Sequence, residues 1–412
     1  MTFATPLSPA AHSAAFERFP VASLMNVTQR PPAVFTHGRG SWLWDSEGRA
    51  YLDLVQGWAV NTLGHAPSAI ATALAVQASR LLQAGPGFYN DRAVELAQRL
   101  TALSGLDRCF FTNSGAEANE GAIKLARKFG QVHRGGAFEI ITFEHAFHGR
   151  TLATMSASGK PGFDTLFAPQ VAGFPKARLN DIDSVRALVG ANTVAVMLET
   201  IQGEAGIIEA SATFMQALRA LCDSHGLLLM LDEVQTGIAR TGELWGFEAS
   251  GVRPDVMTLG KGLGGGVPIG AVLARDAVCC FAHGDQGGTY NGNALVCAAA
   301  SAVLDAVSAP GFLANVRSRS AQLRNGLDAI AKRIGSTPVR GRGLLLALEL
   351  PRVDQALRVA DTLRERAGGP GSQPGLLVNP VRPQCLRFVP ALNITADEVE
   401  LALSLLDSSI AR

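Results

Sequence analysis

Three segments of the 412-residue chain carry residue types that could do chemistry together. In Leu231-Asp232-Glu233-Val234-Gln235 an apolar run ends in two carboxylates. Ligands of open α/β sheets gather at the carboxyl ends of strands, so Asp232 stands where a site is expected. A partly buried carboxylate there needs a cationic partner; the plainer alternative is that Asp232 only caps the next helix. Lys261 lies 29 residues further on, in Gly260-Lys261-Gly262, behind the apolar Val256-Met257-Thr258-Leu259. Glycines on both sides suit a solvated surface charge poorly, and desolvation lowers a lysine's pKa and makes it nucleophilic toward a carbonyl. A Walker loop would need Ser or Thr where Gly262 stands. A dinucleotide fingerprint would need glycines opening a helix early in a βαβ unit, with an acid ~20 residues on, and neither condition is met.

The third segment, Arg108-Cys109-Phe110-Phe111-Thr112-Asn113-Ser114-Gly115-Ala116-Glu117-Ala118-Asn119, reads as a strand, a small-residue turn and a helix start. The N–H groups of Gly115 and Ala116 then face outward at the positive end of a helix, which suits phosphate, although a bare strand-to-helix turn has the same sequence. Glu144, His145 and His148 invite zinc, but no third His or Cys stands at a recognisable spacing, so no metal is expected and a hydrogen-bonded structural histidine is the commoner outcome.

The elements that position these residues follow from the texture of the chain. Residues 1–40 read as irregular and Pro-rich, and 41–53 as a hairpin around Asp45-Ser46-Glu47-Gly48. Between 66 and 310, short apolar runs (Cys109–Phe111, Glu139–Thr142, Val194–Leu198, Leu227–Leu231) alternate with helical patterns, as buried parallel strands with crossover helices do. Residues 311–412 mix helices with a strand-like Gly343–Leu350, a loop from Ala367 to Gly375, and a capping box at Thr395-Ala396-Asp397-Glu398.

Composition narrows the function classes. With 36 basic against 35 acidic residues the net charge is +1, and without a basic run nucleic acid is an unfavoured partner. No apolar run is long enough to span a membrane, and no targeting segment is visible, so the cytoplasm is the default location. Six cysteines in a chain of this length read as reduced thiols, and 44 glycines suggest close backbone approaches to a ligand.

These motifs together resemble the class III pyridoxal-phosphate-dependent aminotransferases, of the acetylornithine and ornithine type. The resemblance runs from about Trp42 to Pro390 and adds Phe147-His148-Gly149-Arg150-Thr151, Glu199 through Gly203-Glu204, Gly288-Thr289-Tyr290 and Arg387-Phe388 to the three segments. It implies an α/β fold of type I: a large domain (66–310) with a mostly parallel sheet between helices, and a smaller α+β domain from both termini (1–65 and 311–412). Lys261 then resembles the residue that carries the cofactor and later moves a proton, and Asp232 the partner of the pyridine nitrogen. Phe147 resembles the residue stacked on the ring, Val234 the packing beneath it and Gln235 a donor to its hydroxyl; His148 and Glu199 belong to the same surround. Gly115, Ala116 and Thr289 resemble phosphate ligands, Thr289 from the other subunit, which implies a homodimer with composite sites.

Arg150 and Arg387 bear on substrate class, because a guanidinium holds a carboxylate through two hydrogen bonds and two arginines suit glutamate and 2-oxoglutarate. In the family a glutamate at the position of Glu204 covers the arginine matching Arg387 while a terminal amine reacts, leaving Arg150 to the remote carboxylate. Trp58 departs from the tyrosine or small aliphatic residue expected at that pocket position, and Gly288 replaces a common serine. Thr200 likewise replaces a common proline. N-acetylornithine is the first choice of amino donor, with ornithine, succinylornithine, 4-aminobutyrate and lysine as alternatives. An aminomutase, or a non-catalytic relative, would be a different class of protein with the same fold.

Overall fold

The computed structural model describes residues 14–382 and 384–410. Seven strands form the central sheet: β1 (Arg108–Thr112), β2 (Glu139–Phe143), β3 (Lys176–Ala177), β4 (Thr193–Glu199), β5 (Leu228–Asp232), β6 (Val256–Leu259) and β7 (Gly270–Ala274), in the order β1-β7-β6-β5-β4-β2-β3. Neighbours pair in parallel except for β7, which is antiparallel to both β6 and β1. The apolar runs are strands because the sheet is covered on both faces. Leu229 and Leu231 point into one core and Leu228 and Met230 into the other, so alternation along a strand exchanges one apolar layer for another.

Strand β7 is where the sheet departs from the parallel strands expected of this region. Residues 260–269 separate β6 from β7 and are taken up by the glycine-rich turn, whereas a parallel return needs a crossover of a dozen residues or more. With no crossover helix, the chain comes straight back alongside.

The expected hairpin pairs Trp42–Asp45 with Ala50–Asp53, and Asp45 Oδ1 accepts the N–H groups of Glu47 and Arg49 in its turn, both at 3.0 Å. Two boundaries differ from the sequence reading. Phe35–Arg39 is already a strand, antiparallel to Trp42–Asp45, and Gly375 does not end the 367–375 loop but opens a strand, Gly375–Leu377, parallel to Ala50–Asp53. Both edges form through partners distant in sequence or without strong local propensity. A second sheet, Arg340–Arg342, Leu345–Glu349, Cys385–Phe388 and Asn379–Arg382, is antiparallel throughout. No single helix among the described residues is long and apolar enough to cross a membrane.

The capping box ties the two ends of the chain together. Glu398 N–H donates to Thr395 Oγ1 (3.2 Å) and Thr395 N–H to Glu398 Oε2 (2.9 Å), opening the helix Ala396–Ile410. The same carboxylate accepts from Ser41 Oγ (3.0 Å) and Trp42 Nε1 (2.9 Å). Arg240, buried without a carboxylate, instead donates to the carbonyls of Leu344 (2.9 Å) and Pro390 (2.6 Å), and burial pulls its pKa down to about 9. Glu398→Ala should therefore cost about 1–3 kcal/mol, a helix cap plus unpaired donors, and should alter Trp42 emission; urea unfolding followed by fluorescence checks both, and a loss below 0.5 kcal/mol would refute the clamp.

Candidate active site

Three central strands end level: Asp232 pairs in register with Glu199 of β4 and Thr258 of β6. Asp232 is buried, and its Oδ2 accepts from Asn119 Nδ2 and lies the same 2.8 Å from His148 Nδ1, while Oδ1 accepts the Val234 N–H at 3.0 Å. Asn119 is itself fixed, donating to the His148 carbonyl (2.7 Å) and accepting from Thr258 Oγ1 (2.7 Å). Asp232 therefore does not merely cap the next turn. The adjacent Glu233 faces the scaffold, taking Thr236 Oγ1 (2.6 Å) and the N–H groups of Gly246 and Phe247 (both 2.8 Å), and burial pushes its pKa up to about 7.

Glu199 is also buried and also pushed up to about 7, first by desolvation, with nearby Asp232 adding to the rise and His148 opposing it. Its oxygens accept the N–H groups of Phe147 (2.9 Å) and Gly203 (3.2 Å). It thus anchors the loop that presents the Phe147 ring and the turn that leads to Glu204.

Lys261 follows β6 with φ at 39°, the left-handed region that costs a non-glycine residue about 1–2 kcal/mol. Gly260 explains the position: a Cβ there would lie 3.0 Å from the Gly115 Cα, so the end of β6 touches the start of the helix Gly115–His133. Burial lowers the pKa of Lys261 and the Arg387 guanidinium adds to this, against the opposing carboxylates of Glu204, Asp232 and Glu199. Ser114 Oγ caps the helix by accepting the Glu117 N–H at 3.2 Å. The N–H groups of Gly115 and Ala116, in the first turn, have no partner within the helix. A Cβ on Gly115 would meet the Val234 side chain at 2.6 Å, so glycine is required there.

Arg387, on the strand Cys385–Phe388, is 1% exposed. One of its terminal nitrogens donates to the Gly203 carbonyl (2.9 Å), Glu204 Oε1 (2.8 Å) and Gln235 Oε1 (3.3 Å), the other to Asn379 Oδ1 (2.6 Å); Nε is buried with no partner among the described residues. Burial would raise the pKa of Glu204, but the charges of Arg387, Lys261 and Lys160 outweigh it and hold the carboxyl below its ordinary value. Arg150 is exposed, its guanidinium 5.7 Å from the Phe163 ring centre, and Phe163 lies 6.2 Å from Phe147.

Trp58 is 53% exposed in a left-handed turn, Gln56–Ala59, beside the Lys261 segment, where Thr62 Oγ1 donates to the Gly262 carbonyl at 2.8 Å. Gly288 and Thr289 stand apart. Thr289 is exposed, its carbonyl accepts from Gln83 Nε2 (2.6 Å), and no described contact joins it to Lys261 or Asp232. Asn119, Thr258, Asn379 and Lys160 carry no chemical signature in sequence. An asparagine among the apolar positions of the helix is the one available hint, because a buried amide demands partners.

The cradle at Gly115, the buried lysine whose pKa burial lowers and the buried carboxylate beyond it fit a phosphate-bearing carbonyl cofactor. Comparison with known proteins agrees. The aminotransferase class-III family profile matches residues 24–410. "Acetylornithine aminotransferase 2" of Bordetella bronchiseptica is 57% identical over 396 residues, 96% of this chain and 98% of its own. The solved N-acetylornithine aminotransferase of Stenotrophomonas maltophilia is 37% identical, with a TM-score of 0.80 over 93% of this chain and 96% of its own. An amine transaminase from an uncultivated Pseudomonas species, solved with pyridoxal phosphate bound, is 28% identical, with a TM-score of 0.85 over 100% of this chain and 99% of its own. The chain therefore belongs to the class III aminotransferases.

Proposed function

We propose that this aminotransferase moves the terminal amino group of N-acetylornithine to 2-oxoglutarate, giving a semialdehyde and glutamate, with pyridoxal 5'-phosphate as cofactor. The observation that carries the reading is the pairing of buried Arg387 with partly buried Glu204 beside Lys261. A transaminase must hold two carboxylates of glutamate in one half-reaction and a donor with one remote carboxylate in the other, within a single pocket. An arginine that its own glutamate can cover meets both demands, and Arg150 is left for the remote carboxylate. An aminomutase would have no use for that alternation.

When bound, pyridoxal phosphate supplies the carbonyl that takes up an amine and a ring that delocalises the electron pair left by proton removal. Lys261 would hold it, and burial, which lowers its pKa, favours Nζ as a nucleophile and then as a base at the amine-bearing carbon. Asp232, fixed by Asn119 and His148, would keep the ring nitrogen protonated. Gly115 and Ala116 would receive the phosphate, Phe147 and Val234 would flank the ring, and Gln235, with Oε1 committed to Arg387, has its amide N–H groups left to donate. Glu199 would position Phe147.

Thr289 would complete the phosphate site of a second copy in a cytoplasmic homodimer, a role that suits its exposure. The small domain, expected over 1–65 and 311–412, would take in the described parts of those ranges, as the pairing of Ala50–Asp53 with Gly375–Leu377 supports; residues 1–13, 383 and 411–412 lie outside the described residues. Trp58 would narrow the donor end of the pocket; ornithine, succinylornithine, 4-aminobutyrate and lysine are the competing donors, and a donor screen against 2-oxoglutarate ranks them.

Lys261→Ala should abolish turnover while circular dichroism stays native; transamination at wild-type rate would overturn the assignment. Asp232→Asn should slow both half-reactions by roughly a hundredfold or more, because a neutral amide cannot hold the ring nitrogen protonated; unchanged single-turnover rates would remove Asp232 from the mechanism. Arg387→Ala should lose about 3–5 kcal/mol in the glutamate half-reaction and far less with the terminal amine. Stopped-flow comparison of the two halves decides, and equal losses would refute the switch.

A further inference from the structure

Glu204 faces two cations. Its Oε1 lies 2.8 Å from the Arg387 guanidinium and its Oε2 lies 3.7 Å from Lys160 Nζ. The two differ in setting: the Arg387 side chain is 1% exposed, that of Lys160 37%. Lys160 is also held in place, its ammonium 5.7 Å from the ring centres of both Phe147 and Phe163. Phe163 carries Arg150 as well, so the second carboxylate-binding candidate shares an aromatic ring with Lys160.

Opening Arg387 to a substrate carboxylate has a cost that the pair alone does not meet. Glu204 must give up its short contact and then sit near an incoming like charge, with only 25% of its side chain exposed to solvent. A cation on the mouth side of the same carboxylate, already facing its other oxygen, removes that cost.

We propose that Lys160 is the open-state partner of Glu204: a positioning residue that takes the carboxylate over when glutamate or 2-oxoglutarate occupies Arg387. The proposal rests on the aminotransferase reading and deepens it, since it assigns the substrate alternation to a three-membered relay, Arg387–Glu204–Lys160, and not to the Arg387–Glu204 pair by itself. The two oxygens of Glu204 already face one cation each, so the carboxylate has Lys160 beside it when it leaves Arg387. No bond is made or broken and no proton moves.

The test compares the holoenzyme with Lys160→Gln and Lys160→Arg. In Lys160→Gln the second-order rate constant for glutamate should fall roughly three- to tenfold, the range for a partly exposed ion pair in a confined site, while that for the terminal-amine donor changes less than twofold. Affinity for glutarate, an unreactive dicarboxylate read by calorimetry, should fall by the same factor, and Lys160→Arg should restore both. In a Glu204→Gln background the Lys160→Gln change should have no effect on the glutamate half. Equal losses in both half-reactions would show that Lys160 merely supports Phe147 and would overturn the proposal, as would no loss or failure of arginine to restore. The functional reading fails separately, if wild-type holoenzyme transfers no amine from glutamate; the glutarate comparison needs no turnover and still decides the role of Lys160.

Discussion

A carboxylate taken out of water at the end of β5 must be surrounded by donors, and this requirement organises the site. Asp232 draws Asn119 from the helix Gly115–His133, His148 from the loop after β2 and the Val234 N–H from its own turn. Asn119 in turn reaches Thr258 on β6, so the helix is fixed in rotation against two strands. Its N-terminus is thereby placed against Gly260, and Lys261 is the next residue. One desolvated charge therefore sets where a phosphate can sit relative to a lysine. An unpaired buried carboxylate would cost several kcal/mol, more than the strain stored in the positive φ of Lys261.

Charge balance extends this logic outward. Lys261, Arg387, Glu204, Glu199 and Asp232 interact within one enclosed region, and the pKa values of Lys261 and Glu199 move toward neutrality as burial disfavours their charged forms. Arg387 stays covered by the oxygens of Gly203, Gln235 and Asn379 and by Glu204, with its Nε unpartnered among the described residues. Exposure then separates the cations: Arg387 is buried, whereas Arg150 is exposed and Lys160 is 37% exposed.

The strands that were legible were those whose local pattern and tertiary role agree. Runs such as Thr193–Glu199 are continuous apolar stretches because both faces of the sheet are covered. Gly270–Ala274 is likewise an apolar run covered on both faces, but its antiparallel direction is not local: it is set by the short turn after β6 and by the slot between β1 and β6. Phe35–Arg39 is mostly exposed and owes its conformation to Trp42–Asp45 alongside. Gly375–Leu377 depends on a strand more than 300 residues earlier in the chain.

The sequence by itself determined the chemistry available: a glycine-flanked lysine, a carboxylate ending an apolar strand, a helix start free to bind an anion, and two arginines with a glutamate. Residue type and spacing suffice for the first three because each is a local demand of the backbone or of desolvation, whereas the arginines and the glutamate were legible only through the family resemblance. The tertiary structure alone decided the partners. That Asn119 and His148 share one oxygen of Asp232, that Glu199 holds Phe147 and Gly203, that Asn379 and Gln235 join Glu204 on Arg387, and that Lys160 stands at the other oxygen of Glu204 follow from contacts between segments dozens to hundreds of residues apart. Hydrogen-bond geometry over such separations is fixed by packing, which no local pattern in a single chain encodes.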